Sequence, residues 1–538
     1  MNTKAAVLFL IFSTFLARAQ AEVKPNALFS DNAVLQQNIE IPVWGDAAEG
    51  EKVSVTLDGD TATTVATEGK WQVRLKPHSP GGPFDLMISG TNTIVVKNVL
   101  VGEVWICSGQ SNMAYDFKGV QNAKIEGPLA NYPKLRMFKV NSPGASTPQT
   151  QLAGSWVECS PKTVEGFSAV GYFFGSDIHK STGLPVGMIH SSVGGTAAQL
   201  WTSLSGLEKE PALRAYVDAA KQMLQNDKGA SEKYLRDMET YQTQLKEWEQ
   251  TEGKAYGAAL NAWKAASKSG GNSSPAPTPT VPKPRPPSDP GAKQPTSLFN
   301  GKIAPLIPYA LRGVIWYQGE SNSPKAFEYR TLFPRLIADW REKWGQGDFP
   351  FLFVQIAPYQ GNPPELREAQ FLTLKKVPNT AMAVITDTPP KLHPPEKELV
   401  GARLALAARA LAYGEKLEYS GPEYDSIKLE QNRAIIGFKH VGGGLIAKDG
   451  PLKGFLIAGE DKKFVPANAV IEGDSVVVSS PQVPKPFAVR YAFLALPDGN
   501  LWNKDGLPAS PFRTDSDSMT QDISPKNKTM LEPTLPES

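Results

Sequence analysis

Cysteine and histidine are scarce in this chain. Its 538 residues hold two of the first, Cys107 and Cys159, and five of the second. Two cysteines exclude a disulfide scaffold and a cysteine-rich zinc site. There is no H-E-x-x-H pair, no carboxylate loop with calcium spacing, no Walker A loop and no G-x-G-x-x-G turn after an apolar run. No metal or other cofactor is therefore expected. Charge of one sign is missing as well: 56 Lys and Arg face 54 Asp and Glu, for a net +2. That balance provides no global field for anionic membrane or nucleic acid, and no basic stripe with interleaved aromatics points to nucleic acid. Beyond the first 21 residues no run reaches the roughly 18 apolar residues of a membrane span. None of these counts speaks to oligomeric state.

What is present begins with an address. Lys4 is the only charge before the apolar run Ala5 to Leu16, and Ala17-Arg18-Ala19 and Ala19-Gln20-Ala21 supply small residues for cleavage. Residues 1–21 read as a signal peptide, which makes the expected location periplasmic or extracellular. Export permits a Cys107–Cys159 disulfide.

Residues 22–98 alternate apolar and polar, as in Val53-Ser54-Val55-Thr56-Leu57, between turn residues such as Asp58-Gly59-Asp60. They read as an N-terminal antiparallel β domain. Five nearly continuous apolar runs follow: Leu100–Cys107, Val186–Ser191, Gly313–Tyr317, Phe351–Ile356 and Ala381–Ile385. Continuous runs predict strands buried on both faces, as in a parallel sheet covered by helices. Helical stretches fit between or after them. Ala326–Trp344 is one, and Glu396–Ala412, with Val400, Leu404, Ala408 and Leu411 on one face, is another. This α/β core spans 99–205 and 296–415. Between its parts lies an insert over 206–295, helical at first and then carrying nine prolines over 275–295. It reads as a lid, a partner surface or a peripheral helical hairpin. Residues 416–515 return to β character, and 516–538 form a polar tail expected to be disordered.

In an open α/β sheet ligands bind beyond the C-terminal ends of the strands. The five runs are followed there by Ser108-Gly109-Gln110-Ser111-Asn112-Met113, Ser192-Val193-Gly194-Gly195-Thr196, Gln318-Gly319-Glu320-Ser321-Asn322, Ala357-Pro358-Tyr359-Gln360 and Thr386-Asp387 with Lys391-Leu392-His393. Ser111 sits where a helix begins, as a nucleophile or as a plain N-cap. A nucleophilic serine needs a base, and of the five histidines only His393 falls on a rim loop. Asp387 could hold the imidazole as a third member, and Glu320 is a second candidate carboxylate. With such a partner His393 would have a pKa near or above the ordinary 6.5. Gly194 and Gly195 can present backbone N–H groups to an oxyanion or simply make a tight turn. Gln318 or Asn322 could donate a side-chain amide.

Gly102-Glu103-Val104-Trp105-Ile106-Cys107-Ser108-Gly109-Gln110-Ser111-Asn112-Met113 resembles the nucleophile block of sialate O-acetylesterases, within the SGNH/GDSL hydrolase superfamily. Trp316-Tyr317-Gln318-Gly319-Glu320-Ser321-Asn322 is similar to their second signature, and Gly194-Gly195-Thr196 and His393-Pro394 with Lys397, Val400-Gly401 and Arg403-Leu404 fit the same family. The resemblance implies an SGNH-type, flavodoxin-like parallel sheet with helices on both faces, flanked by β domains. It implies Ser111 as nucleophile, His393 as base, and an O-acetylated sugar or glycan as substrate. One position departs from the superfamily: the Asp two or three residues before the His is Lys391 or Pro390 here, so Asp387 takes the third place by expectation. Ser111 N–H, Gly195 N–H and Gln318 are the expected oxyanion donors. Asn322 is a tentative substrate contact. Arg367 could pair a sialic-acid carboxylate through its fork, or serve a structural ion pair. The expected activity is hydrolysis of carbohydrate O-acetyl esters through an acyl-enzyme. The alternatives are deacetylation of a plant polysaccharide such as acetylxylan, or a catalytically inactive carbohydrate-binding protein of the same fold.

Overall fold

A computed structural model describes residues 22–268, 275–284 and 294–515. Residues 1–21, which the sequence reads as a signal peptide, the tail over 516–538 and part of the proline-rich stretch lie outside the described residues. We label the strands of the central sheet β1 (Thr93–Gly109), β2 (Tyr132–Lys139), β3 (Trp156–Cys159), β4 (Val186–Ser192), β5 (Gly313–Tyr317), β6 (Phe351–Val354) and β7 (Thr380–Ala383). The long helices are α1 (Ala169–Thr182), α2 (Arg214–Gln250), α3 (Glu252–Lys268), α4 (Ala326–Trp344), α5 (Pro364–Lys376) and α6 (Lys397–Leu411).

The sheet order is β3-β2-β4-β1-β5-β6-β7. All neighbours are parallel except the edge strand β3, which runs antiparallel to β2. The five expected strands are β1, β4, β5, β6 and β7. Their spatial order, second-first-third-fourth-fifth, is the flavodoxin-like one. The apolar runs are continuous because successive residues enter two different cores. Val104, Ile106, Val314, Trp316, Phe351 and Phe353 join one cluster with α4 and α5. Trp105, Cys107, Ile315, Tyr317, Leu352 and Val354 join another with α1 and α6. Period-two alternation thus buries both faces and leaves no polar position to read.

The N-terminal β module is continuous with this sheet. The strand β1 pairs first with Gly81–Ser89 and Val34–Gln36, then from Glu103 onward with β4. It therefore crosses residue 98 without a break. The C-terminal residues form two four-stranded antiparallel sheets and a strand pair over a separate core that includes Ile436, Val478 and Phe512. Within the insert, α2 and α3 follow each other with one residue between them. Residue 281 folds back on this unit, where Trp248 Nε1 donates to the Val281 carbonyl at 2.7 Å. Cys107 and Cys159 are both buried and both free thiols, so the permitted disulfide does not form. Among the described residues no helix is long and apolar enough to cross a membrane.

Candidate active site

Register builds the site. In β1, Gly109 lies opposite Ser192 on one side and Tyr317 on the other. The three strands end level, so Gln110-Ser111, the turn at 193–195 and the stretch after Tyr317 meet at one rim. This is the topological switch point, where consecutive strands depart to opposite sides of β1. Gly109 has φ +136, and a side chain there would collide with the Tyr317 carbonyl. Only glycine lets the strand turn this tightly into the short helix Ser111–Ala114. Gln110, not Ser111, holds the N-cap position of that helix. The Ser111 hydroxyl is therefore not spent on capping.

It meets His393 instead: Nε2 lies 2.8 Å from Ser111 Oγ. The loop after β7 brings His393 there, and the residue is exposed. Its ring is nevertheless partly desolvated. That desolvation, together with the Lys397 charge, moves its pKa below the ordinary imidazole value. The expectation of a value near or above 6.5 presumed a carboxylate partner, and none of the described carboxylates bonds to the ring.

Asp387 and His393 are not brought together. Arg403 takes both Asp387 oxygens, at 2.6 and 2.8 Å, and also donates to the Val384 carbonyl at 2.6 Å. Asp387 thus ties the His393 loop to α6 rather than orienting the imidazole. Glu320 does reach the nucleophile helix, where its Oε1 accepts from Asn112 Nδ2 at 2.6 Å. Burial raises its pKa, opposed by hydrogen bonds and by Lys397 and Arg367.

Beside Ser111 lies Gly194, where an added Cβ would stand 3.5 Å from the Ser111 Cβ. Gly195 follows at φ +68, and both glycines are exposed. This turn can offer backbone N–H groups to the serine's surroundings. Gln318 cannot, contrary to expectation. It is fully buried, and its Nε2 faces Asn322 Oδ1, Gln110 Oε1 and the Thr196 carbonyl at 2.8, 3.1 and 3.2 Å. Its Oε1 accepts from the Tyr329 hydroxyl at 3.0 Å. Asn322 is likewise internal: its Oδ1 also accepts from Ala198 N–H at 2.9 Å, and its amide donates to Gln199. Both brace the 196–199 turn against β5 from inside the protein, with their polar atoms taken up by neighbouring groups.

Arg367 is also corrected. It has no exposed surface and donates to four carbonyls, those of Ile356, Ala357, Leu494 and Ala495, at 2.9–3.0 Å. Two belong to the loop after β6 and two to the C-terminal β module, so the guanidinium joins the two units. Sequence reasoning assigned no role to Asn112 and Lys397, which pack directly under Ser111. The adjacency of Asn112 to Ser111, and the spacing of Lys397 four residues after His393 at a helix start, are the signals that mark them. Among the described residues no group of three or more His, Cys, Asp or Glu is placed to hold a metal ion.

The chain is similar to known carbohydrate esterases. The profile of a family described as carbohydrate esterase, sialic acid-specific acetylesterase, matches residues 300–407. Sialate O-acetylesterase of Rattus norvegicus is 32% identical over 448 residues, covering 74% of this chain and 75% of that protein. The Mus musculus enzyme is 31% identical over 445 residues, with the same two coverages. A carbohydrate acetylesterase from Xanthomonas citri of known crystal structure is 35% identical, superposes with a TM-score of 0.75, and covers 92% of this chain and 100% of its own.

Proposed function

The chain belongs to the sialate O-acetylesterase family, and from that premise we propose that it hydrolyses carbohydrate O-acetyl esters through a Ser111–His393 dyad. The observation that carries this reading is the 2.8 Å approach of His393 Nε2 to Ser111 Oγ at the switch point of the sheet. His393, held neutral, accepts the serine proton as Ser111 attacks the acetyl carbonyl. The oxyanion forms beside the Ser111 and Gly194-Gly195 backbone N–H groups. Protonated His393 then returns the proton to the departing sugar oxygen. A water activated by His393 completes the cycle, releasing acetate and restoring the Ser111 hydroxyl.

The sugar is defined here only by its ester. Arg367, the side chain with a fork suited to a sialic-acid carboxylate, is buried and turned onto four backbone carbonyls. Purified protein should release acetate from O-acetylated sialic acid or from acetylated neutral polysaccharide such as xylan. Assaying both for free acetate ranks them, and no release from either returns the molecule to a binding role. The enzyme is further proposed to be exported after cleavage within 17–21. N-terminal sequencing of protein recovered from the periplasm or medium tests this, and an intact Met1 would oppose it.

A further inference from the structure

Under the nucleophile sits a polar cluster that the acyl-transfer steps leave unused. Asn112, fully buried, donates from Nδ2 to Glu320 Oε1 at 2.6 Å and to the Leu392 carbonyl at 2.9 Å. Its Oδ1 accepts from Lys397 Nζ at 2.5 Å. Lys397 has no exposed surface, and its ammonium lies 5.0 and 5.1 Å from the ring centroids of Tyr115 and Tyr317. Glu320 Oε2 and the Tyr317 hydroxyl are buried with no hydrogen-bond partner among the described residues.

Two consequences follow from placement. Asn112 neighbours Ser111, and Leu392 neighbours His393. The Asn112–Leu392 bond therefore ties the loop of the base to the helix of the nucleophile, one residue from each reacting group. An amide holds that orientation only if its two ends are distinguished. Lys397 can only donate, and an ionised Glu320 can only accept, so together they fix which end is which. The second consequence is electrostatic, since a buried cation on the helix after His393 opposes imidazolium formation.

We propose that Lys397, acting through Asn112, is a positioning residue of this esterase: it locks the amide that clamps the His393 loop to the Ser111 helix, and its charge keeps His393 in the unprotonated form that the base step requires. The kinetic part rests on the serine-esterase reading, whereas the charge part does not. Burial, followed by the Lys397 charge, lowers the His393 pKa. Burial brings Lys397 itself down to about 7, against the pull of Glu320 and Glu396. The other charges nearby are engaged or solvated. Glu398 accepts from Asn122, Asp387 and Arg403 close on each other, Arg367 lies buried beyond Glu320, and Lys391 is exposed on the loop.

Lys397→Met keeps the aliphatic stem and removes the charge. In the full-length protein two readouts decide. The NMR titration of the His393 ring, assigned by its loss in His393→Ala, needs no substrate and should move to higher pH. With p-nitrophenyl acetate, kcat should fall on the order of 10-fold or more with KM within about two-fold. The acid limb of kcat/KM should move by the same amount as the NMR midpoint. A His393 midpoint and kcat both unchanged would overturn the proposal, whereas a merely structural lysine would leave the titration in place. If Lys397→Met does not fold, Asn112→Ala decides by the same kinetics: a loss of that order supports the clamp, and wild-type kcat overturns it. A wild-type protein inactive on every ester ends the esterase reading, and the titration then judges the charge effect alone.

Discussion

His393 Nε2 stands 2.8 Å from Ser111 Oγ although 282 residues separate the two in the chain. The contact exists because β1 and the loop after β7 end at the same rim, with β5 and β6 between their strands. In the proposed mechanism it sets the proton-transfer partners in place before substrate arrives, which is the entropic part of catalysis.

Asp387 and Glu320 hold different parts of the site. Asp387, closed on Arg403, should matter through the loop it anchors, so Asp387→Asn should cost on the order of 10-fold in kcat rather than the roughly 10⁴-fold typical of a triad aspartate. Glu320→Gln, which disturbs the Asn112 clamp, should cost more than Asp387→Asn. Steady-state kinetics of the two folded variants on one acetyl ester checks the order. An Asp387→Asn loss near that of Ser111→Ala would restore Asp387 to a triad.

The pH profile follows from His393. Its pKa is lowered by partial desolvation and by Lys397, so the neutral base persists to lower pH than a free histidine. Activity should rise with pH through a midpoint below the ordinary value of about 6.5. A kcat/KM profile from pH 4 to 8 reads this directly, and a midpoint above 6.5 would require a carboxylate partner after all.

Arg367→Met should act on stability and not on substrate affinity. The substitution strands four carbonyls that the guanidinium now satisfies. A cost of about 2–4 kcal/mol is expected, seen as a lowered Tm with KM for acetylated sialic acid little changed in the folded fraction. A selective rise in KM at unchanged Tm would revive the carboxylate-binding role.

His190 lies in β4, and its Nε2 is 2.5 Å from Ser192 Oγ. Burial, then the Lys139 and Lys302 charges, brings its pKa down to about 3. Unfolded, it takes a proton near 6.5. Between those values the unfolded state binds more protons, so stability is full above about pH 6.5 and is lost as pH falls toward 3. His190→Gln removes this titration. From pH 6.5 to 5 the wild type should therefore lose ~2 kcal/mol more than the variant, measured by urea denaturation at both pH values. Equal losses would show that His190 titrates normally.

The central strands were legible because two-sided burial leaves uninterrupted apolar runs. The strand β2 was not, since Pro133, Lys134 and Arg136 break its pattern. Arg136 is buried there by tertiary partners, the Pro133 carbonyl and the side chains of Asn32 and Asn98. The helix α5 hid for a similar reason, because its inward face carries Arg367 and Gln370, whose partners come from other elements. At the site, position after a strand was enough to put Ser111 and His393 on one rim, where they meet at 2.8 Å. The partners of Asp387, Gln318 and Arg367 were not visible, because each is chosen by a distant residue once the chain has folded. A rim loop shows in sequence which polar groups gather there, but not which of them satisfy one another.

The most direct test is release of acetate from an O-acetylated sugar by the purified protein and by Ser111→Ala, each shown to be folded by circular dichroism. The wild type should release acetate, and the variant's rate should be lower by on the order of 10³-fold or more. A folded Ser111→Ala protein that releases acetate at the wild-type rate would contradict it.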